Sequence, residues 1–302
     1  MSATPAGTAA PQASAATADV ASIASEMVAC GTLEMGADTP EDARRIAELL
    51  PADTPVYVNH MPKRPLENTL KALVALREAN LDPVPHIAAR RVGSRAEAQT
   101  FIAQARKLAG ITKVLMLGGD VPEQVGPYAD AAALLREDFI AGSGLKQVAI
   151  AGYPEGHPRI PTEILNAALA EKLALARQHG LEPLIVTQFS FAPNRIVEYC
   201  ADVARRAPGV PVYVGLAGPT NPVSLLKFAQ RCGVSASLRA LQAEGMRAVK
   251  LFTHVDPTDQ LMALAQHIRS GSASNVVGVH LYSFGGVAKT AGWMNERITH
   301  RR

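Results

Sequence analysis

The feature that most constrains this chain is an alternation. Short runs of β-branched and apolar residues recur along it, each followed by a longer Ala/Leu-rich segment of helical period. Short apolar runs fit buried strands, whereas apolar residues three and four apart fit a helix packed on one face. From about residue 26 the strand-like runs are 27–35 (MVACGTLEM), 56–60 (VYVNH), 84–88 (VPHIA), 113–117 (KVLML), 147–152 (QVAIAG), 183–189 (PLIVTQF), 210–215 (VPVYVG) and 276–284 (VVGVHLYSF). Val28, Val56 and Val84 open the first three at a 28-residue interval. Helices are expected over 41–49, 66–79, 94–108, 162–179, 194–206, 221–231, 235–245, 257–269 and 288–298. Eight strands that almost all feed a helix, within about 275 residues, match a (β/α)8 TIM barrel; a doubly wound sheet more often has five or six strands. The expected organisation is a disordered Ala-rich tail over 1–22 and one α/β barrel domain over 23–302. The tail lacks the basic start and apolar block of a secretory signal. The stretch 247–255 (RAVKLFTHV) reads as a further strand or as a helix end.

Composition narrows the function classes. With 48% apolar and 19% charged residues in 302, the chain has ample interior to bury, which excludes disorder throughout. A net charge of +3 is too weak and dispersed for a nucleic-acid binder, although it suits anionic small molecules. Cys30, Cys200 and Cys232 lie far apart with no C-x-x-C pair, so neither a disulfide framework nor a zinc knuckle is indicated. A reducing, cytoplasmic location is expected. No apolar run reaches the roughly 20 residues that span a bilayer, so no membrane association is expected. A homo-oligomer is compatible with the sequence.

In such a barrel, functional side chains come from strand C-terminal ends and the loops after them. That rule selects Glu34, Asn59-His60, His86 and Arg90, Gly118-Gly119-Asp120, Tyr153 to His157, Gln188, Gly215 to Asn221, and Tyr282 to Gly286. Glu34 ends an apolar strand, where burial raises a carboxyl pKa toward the range of a general acid; an ion pair with Arg44 or Arg45 is the plainer alternative. Gly118-Gly119-Asp120 lets backbone approach a flat or phosphorylated ligand, or forms a tight turn capped by Asp120. There is no G-x-G-x-x-G fingerprint and no P-loop. In AGYPEGHP (151–158), Glu155 and His157 lack a third ligand at an obvious spacing, so a rigid ligand-binding loop is preferred to a metal site. Gln188 offers a donor and an acceptor to a heterocyclic edge, or to a neighbouring loop. His280 reads as a packed strand histidine.

Taken in order, LEMG, PHIAAR, LGGD, AGYPEGHP, VTQFSF, GPTNPVSLLKFA and HLYSF resemble the methylenetetrahydrofolate reductase family over about residues 30–284. YPE-x-HP followed about 30 residues later by TQF is the most specific part. The resemblance implies a barrel that passes a hydride between NADH or NADPH and 5,10-methylenetetrahydrofolate through FAD, giving 5-methyltetrahydrofolate, or the reverse in one-carbon catabolism. It makes Glu34 the acid that opens the folate's five-membered ring. Asp120 would bind the pterin and influence the flavin, with Gln188 on the pterin and Phe228 stacked on folate or nicotinamide. Ser224 stands where a folate-contacting glutamine is usual, and Tyr282 joins the folate side. Asn59, His86, Gly119, Tyr128, Ala129, Tyr153 and His157 match flavin-contacting positions, and Gly118 and Asp120 stand beside them on the cofactor side.

The chain also departs from that pattern. Gly118 replaces an arginine, Gly286 replaces another, and the family's basic pair in the helix after YPE-x-HP falls on Leu175 and Ala176, with Lys172 or Arg177 as substitutes. Fewer phosphate-facing cations weaken FAD binding, because charge-assisted phosphate contacts are strong. Two alternatives therefore stand beside the flavoenzyme: a flavin-independent reductase of the same folate, and a methyltetrahydrofolate-binding methyltransferase barrel. A folate-binding subunit without turnover would not require a buried acid beside the pterin. The chain stops soon after the barrel, so the S-adenosylmethionine-binding regulatory domain of larger family members is not expected.

Overall fold

The computed structural model describes residues 19–61, 64–220, 234, 257–271 and 274–299. Ser224, Phe228 and the segments 221–231, 235–245 and 247–255 lie outside the described residues. The strands β1 (Thr32–Met35), β2 (Pro55–Val58), β3 (Asp82–Ala88), β4 (Lys113–Leu117), β5 (Gln147–Gly152), β6 (Glu182–Thr187), β7 (Val212–Ala217) and β8 (Val276–Tyr282) are parallel and close into a ring in chain order. The expected TIM barrel is present, closed by the pairing of Thr32 with His280 and Leu33 with Leu281.

Around the ring lie α1 (Val20–Ala29), α2 (Asp42–Ala47), α3 (Leu66–Glu78), α4 (Arg95–Ala109), α5 (Ala131–Leu135), α6 (Thr162–Gln178), α7 (Pro193–Arg206), α8 (Thr258–Arg269) and α9 (Val287–Thr299). Local chemistry sets their ends. Ser94 caps α4 by accepting the Glu97 amide at 3.1 Å, and Gly110 closes it in the left-handed region at φ 61°. Asp130 caps α5 through the Ala133 amide at 2.8 Å, and Pro193 sits in the first turn of α7, where a missing N–H costs nothing.

One expectation needs correction: the apolar run 27–35 is not a single strand. Met27–Ala29 end α1, which begins at Val20, inside the expected tail, and the chain turns at Cys30-Gly31 before β1. A side chain at Gly31 would lie 2.8 Å from the Val28 carbonyl, so the turn excludes one. A continuous apolar run reads the same as helix or strand; here the glycine divides it.

Two apolar layers result. The larger lies between strands and helices, with Leu33, Ile46, Leu73, Ile102, Met116, Leu134 and Leu216 among its buried members. The inner one fills the barrel with Tyr57, Val84, Leu115, Ala149, Leu184 and Val186. Register carries inward-facing residues around the ring, as Glu34 pairs with Tyr57, His86 with Leu115, and Gly215 with His280. Below the inner layer the α1–β1 turn closes the barrel, and a Cβ on Gly278 would sit 2.8 Å from the Cys30 carbonyl. The open end is therefore the upper one, where the strand C-termini bring their polar residues.

Candidate active site

Strand periodicity builds the mouth. Thr32 and Glu34 on β1, Tyr57 and Asn59 on and after β2, His86 on β3, and His280 and Tyr282 on β8 alternate with core residues and so share the inner face. Glu34 Oε2 lies 3.9 Å from His86 Nε2, with side-chain exposures of 17% and 8%. Burial pushes the Glu34 carboxyl up to about 7, opposed by a hydrogen bond from Asn59. The alternative of an ion pair with Arg44 or Arg45 is absent among the recorded contacts of the described residues.

The mouth's histidines are neutral. Burial drives His86 and His280 down to about 3, and burial followed by the Arg91 charge drives His60 down to about 4. His60 Nδ1 accepts the Ala88 amide at 3.3 Å, while His280 Nδ1 meets Thr32 Oγ1 at 2.7 Å. His280 is thus packed, as its strand position suggested. Asn59 Oδ1, His86 Nε2, His280 Nε2 and the Tyr57 hydroxyl are buried without a hydrogen-bond partner among the described residues. Orphaned polar atoms at a mouth mark where a polar ligand edge can sit.

Rings line the far wall. Tyr57 meets His280 edge-on at 4.9 Å, and His280 meets Tyr282 at 4.7 Å. Tyr282 and Phe284 stack at 6.2 Å beside Phe189, which lies 5.5 Å from Tyr282. The Tyr282 hydroxyl donates to the Thr187 carbonyl at 3.0 Å, tying this wall to the strand that ends at Gln188. Gln188 Oε1 accepts the Phe189 amide at 3.1 Å, and its own amide donates to Gly152 at 2.8 Å, which leaves its side-chain NH2 as the group to offer outward.

On the opposite rim Asp120 pairs with Arg91, whose other nitrogen donates to the His60 carbonyl. Gly119 turns at φ 94°, and a Cβ on Gly118 would meet nothing within 4 Å. Arg90 donates to the carbonyls of Val121, Pro122 and Ala129 at 3.2, 2.7 and 3.2 Å, pinning the loop after β4. Tyr128 is 2% exposed and donates to Glu137 at 2.8 Å, so its ring is packed in the outer core. Tyr153 and His157 meet edge-on at 5.7 Å, and His157 Nδ1 accepts the Arg159 amide at 3.2 Å. Lys172 on α6 is depressed by burial, opposed by Asp130 and Glu171.

The structure thus gathers Glu34, Asn59, His86, Gln188 and Tyr282 around one mouth, with Asp120 across the rim. Tyr128 and Lys172 lie on the outer β4–α6 side. Beside the mouth, under the Tyr153 loop and between α6 and α7, is a cleft of about 550 Å³ lined by Asn166, Arg195, Tyr199 and Asp202 among others. Among the described residues no group of three or more His, Cys, Asp or Glu could hold a metal ion, and no helix is long and apolar enough to cross a membrane. Sequence reasoning missed Tyr57, Thr32 and Arg91. Counting in twos back from Asn59 and Glu34 finds the first two; Arg91 had no local signal, because its partners come from other loops.

Comparison with known proteins adds a family match. The model described as methylenetetrahydrofolate reductase matches residues 16–284. Solved structures with a likeness include a Yersinia pestis DHPS with a pterine-sulfa conjugate, 11% identical over 90% of this chain and 93% of that one, with a TM-score of 0.47. Another is 3-dehydroquinate dehydratase from Geobacillus kaustophilus, 14% identical over 72% of this chain and 92% of that one, with a TM-score of 0.39.

Proposed function

Because the chain belongs to the methylenetetrahydrofolate reductase family, we propose that it moves a hydride from NADH or NADPH to 5,10-methylenetetrahydrofolate, with FAD as carrier, forming 5-methyltetrahydrofolate. The family supports an oxidoreductase acting on folate; the carrier, the donor and the direction are our reading. The observation that supports it most is Glu34, a carboxyl at the barrel mouth held protonated up to about pH 7 by burial.

Protonated Glu34 donates to the ring nitrogen that leaves the bridging methylene carbon, opening the five-membered ring to an iminium. The methylene carbon then accepts hydride, so one nicotinamide hydride and one proton yield the methyl group and oxidised nicotinamide. Neutral His86, 3.9 Å away, places no positive charge beside Glu34 that would favour its ionised form. Gln188 and Asp120 bind the pterin edge, and Tyr282 supports its face, stacked on Phe284. Position is most of the catalysis here, since the two rings must lie face to face.

The residues fit a flavin at its ring end. Buried and unpartnered Asn59 Oδ1 and His86 Nε2 suit a heterocyclic edge, and the space at Gly118 admits a flat group. Asn59, His86, Gly118, Gly119 and Asp120 would hold the ring, Tyr153 and His157 the chain beyond it, and the Tyr128-Ala129 loop with Lys172 the diphosphate side. When bound, FAD supplies a two-electron carrier between nicotinamide and folate.

A specific observation favours a second reading, direct transfer without flavin. Arg90, Arg91, Arg95 and Arg136 all face protein acceptors, namely loop carbonyls, Asp120, Glu137 with Asp138, and Glu171. An absorbance spectrum of the purified protein, with folate-dependent nicotinamide oxidation measured before and after added FAD, separates these. A flavin band with FAD-dependent turnover supports the carrier. Undiminished turnover without a flavin band selects direct transfer. Corrinoid-dependent methyl transfer without nicotinamide oxidation overturns the reductase reading.

A further inference from the structure

Tyr199, on the outer helix α7, has no part in the chemistry above, yet it reaches the loop that carries Tyr153 and His157. Its hydroxyl lies against the Gly152–Tyr153 backbone; burial raises its pKa well above the ordinary value, opposed slightly by that backbone, so it stays protonated. The ring packs against the outer core. A Cβ built on Gly152 would overlap the Tyr199 hydroxyl, with the ring Cζ at 3.1 Å and Ile185 Cγ2 at 2.9 Å. Gly152 does not use the left-handed backbone region, so only crowding explains the missing side chain. The same Gly152 carbonyl accepts the Gln188 amide at 2.8 Å, so the contact joins two rim segments. Beneath the loop runs the cleft of about 550 Å³, and Tyr199 reaches across one wall of it.

We propose that Tyr199 is a positioning residue: its hydroxyl, admitted by the absent side chain at Gly152, sets the height of the Tyr153–His157 loop over the mouth and the placing of Gln188 beside it. The functional consequence rests on the reading that this loop and Gln188 hold the carrier and the folate; the contact itself does not. Tyr199 touches no reacting atom.

A mutant cycle tests it. Tyr199→Phe removes one oxygen and keeps the ring, and it is expected to raise amide exchange in 153–157 about threefold to tenfold, the worth of one polar contact. It should raise the KM for folate or nicotinamide by a similar factor while kcat changes less than twofold. Gly152→Ala is expected to do more damage in the native background than in the Tyr199→Phe background, because the phenyl ring removes the atom the new methyl meets. Unchanged exchange in Tyr199→Phe, or equal Gly152→Ala effects in both backgrounds, overturns the proposal. So does a drop in Tm with exchange in 153–157 no greater than elsewhere in the fold. Faster exchange and a non-additive cycle in a protein without folate-dependent nicotinamide oxidation would leave the contact standing and sink the reductase reading instead.

Discussion

Glu34 Oε2 and His86 Nε2 face each other across 3.9 Å at the barrel mouth, and burial moves their affinities for protons in opposite directions. The carboxyl goes up to about 7 and the imidazole down to about 3, so the proton resides on Glu34 and the pair is uncharged below neutrality. With Glu34 as the proposed acid, folate turnover is expected to fall as pH rises through about 7. Glu34→Gln removes that limb of the pH profile and lowers folate turnover by roughly 100- to 10,000-fold. Nicotinamide oxidation by an artificial acceptor, measured in parallel, stays intact.

The same shift makes a stability prediction of definite sign. The folded-state pKa of about 7 exceeds the ordinary 4.5, so the unfolded chain loses the proton first. The stabilisation from burying the neutral acid is complete below pH 4.5 and is lost as pH rises to about 7, an upper limit of roughly 3 kcal/mol. Thermal melts of Glu34→Gln therefore match the native protein at pH 4.5 and lie above it at pH 8.

Arg91 sets the charge on the rim. Replacing it with Ala removes the Arg91–Asp120 ion pair and the bond to the His60 carbonyl, costing about 1 kcal/mol because Asp120 is partly exposed. Removing the cation also lets the His60 imidazole rise from about 4, which an NMR titration reads directly. A larger fall in His60 affinity for protons would contradict the assigned electrostatics.

Lys172 carries its charge in a partly buried place beside Asp130 and Glu171. If Lys172 faces the flavin diphosphate as proposed, Lys172→Met is expected to leave the melting temperature within a few degrees while weakening FAD about tenfold, the loss of one charge-assisted phosphate contact. In the native protein FAD affinity should decline at lower alkaline pH than for an ordinary lysine. Equilibrium dialysis across pH checks both.

Gly215 is the tightest point between β6 and β7. A Cβ there would overlap the Thr187 carbonyl and lie 2.9 Å from the Gln188 carbon and the Phe189 nitrogen, all backbone atoms. Gly215→Ala should cost roughly 2–4 kcal/mol in urea unfolding, since backbone yields less than a side chain.

Much of this architecture is legible from the chain because strand and helix periods differ. The strands β2 to β8 and the helices α2 to α4, α6 to α9 fall within a few residues of the expected spans. The five-residue α5 is too short to show a period, and the run through Met27 misleads because buried helix and buried strand are equally apolar. Glu34 and Gln188 stand out as polar residues near the ends of apolar runs, and His86 as a polar residue inside one. The Arg91–Asp120 pair and the Tyr199 contact do not, since each joins residues that only the closed ring brings together.

The ring closes late. The Thr32–His280 hydrogen bond spans 248 residues, so β1 must wait for nearly the whole chain before its second neighbour exists. Until then β1 and β7 each expose an unpaired row of amides and carbonyls, an invitation to pair with another nascent chain. A ribosome-bound product ending before residue 276 should therefore depend on chaperones, whereas the closed ring β1 to β8 has no edge of its own.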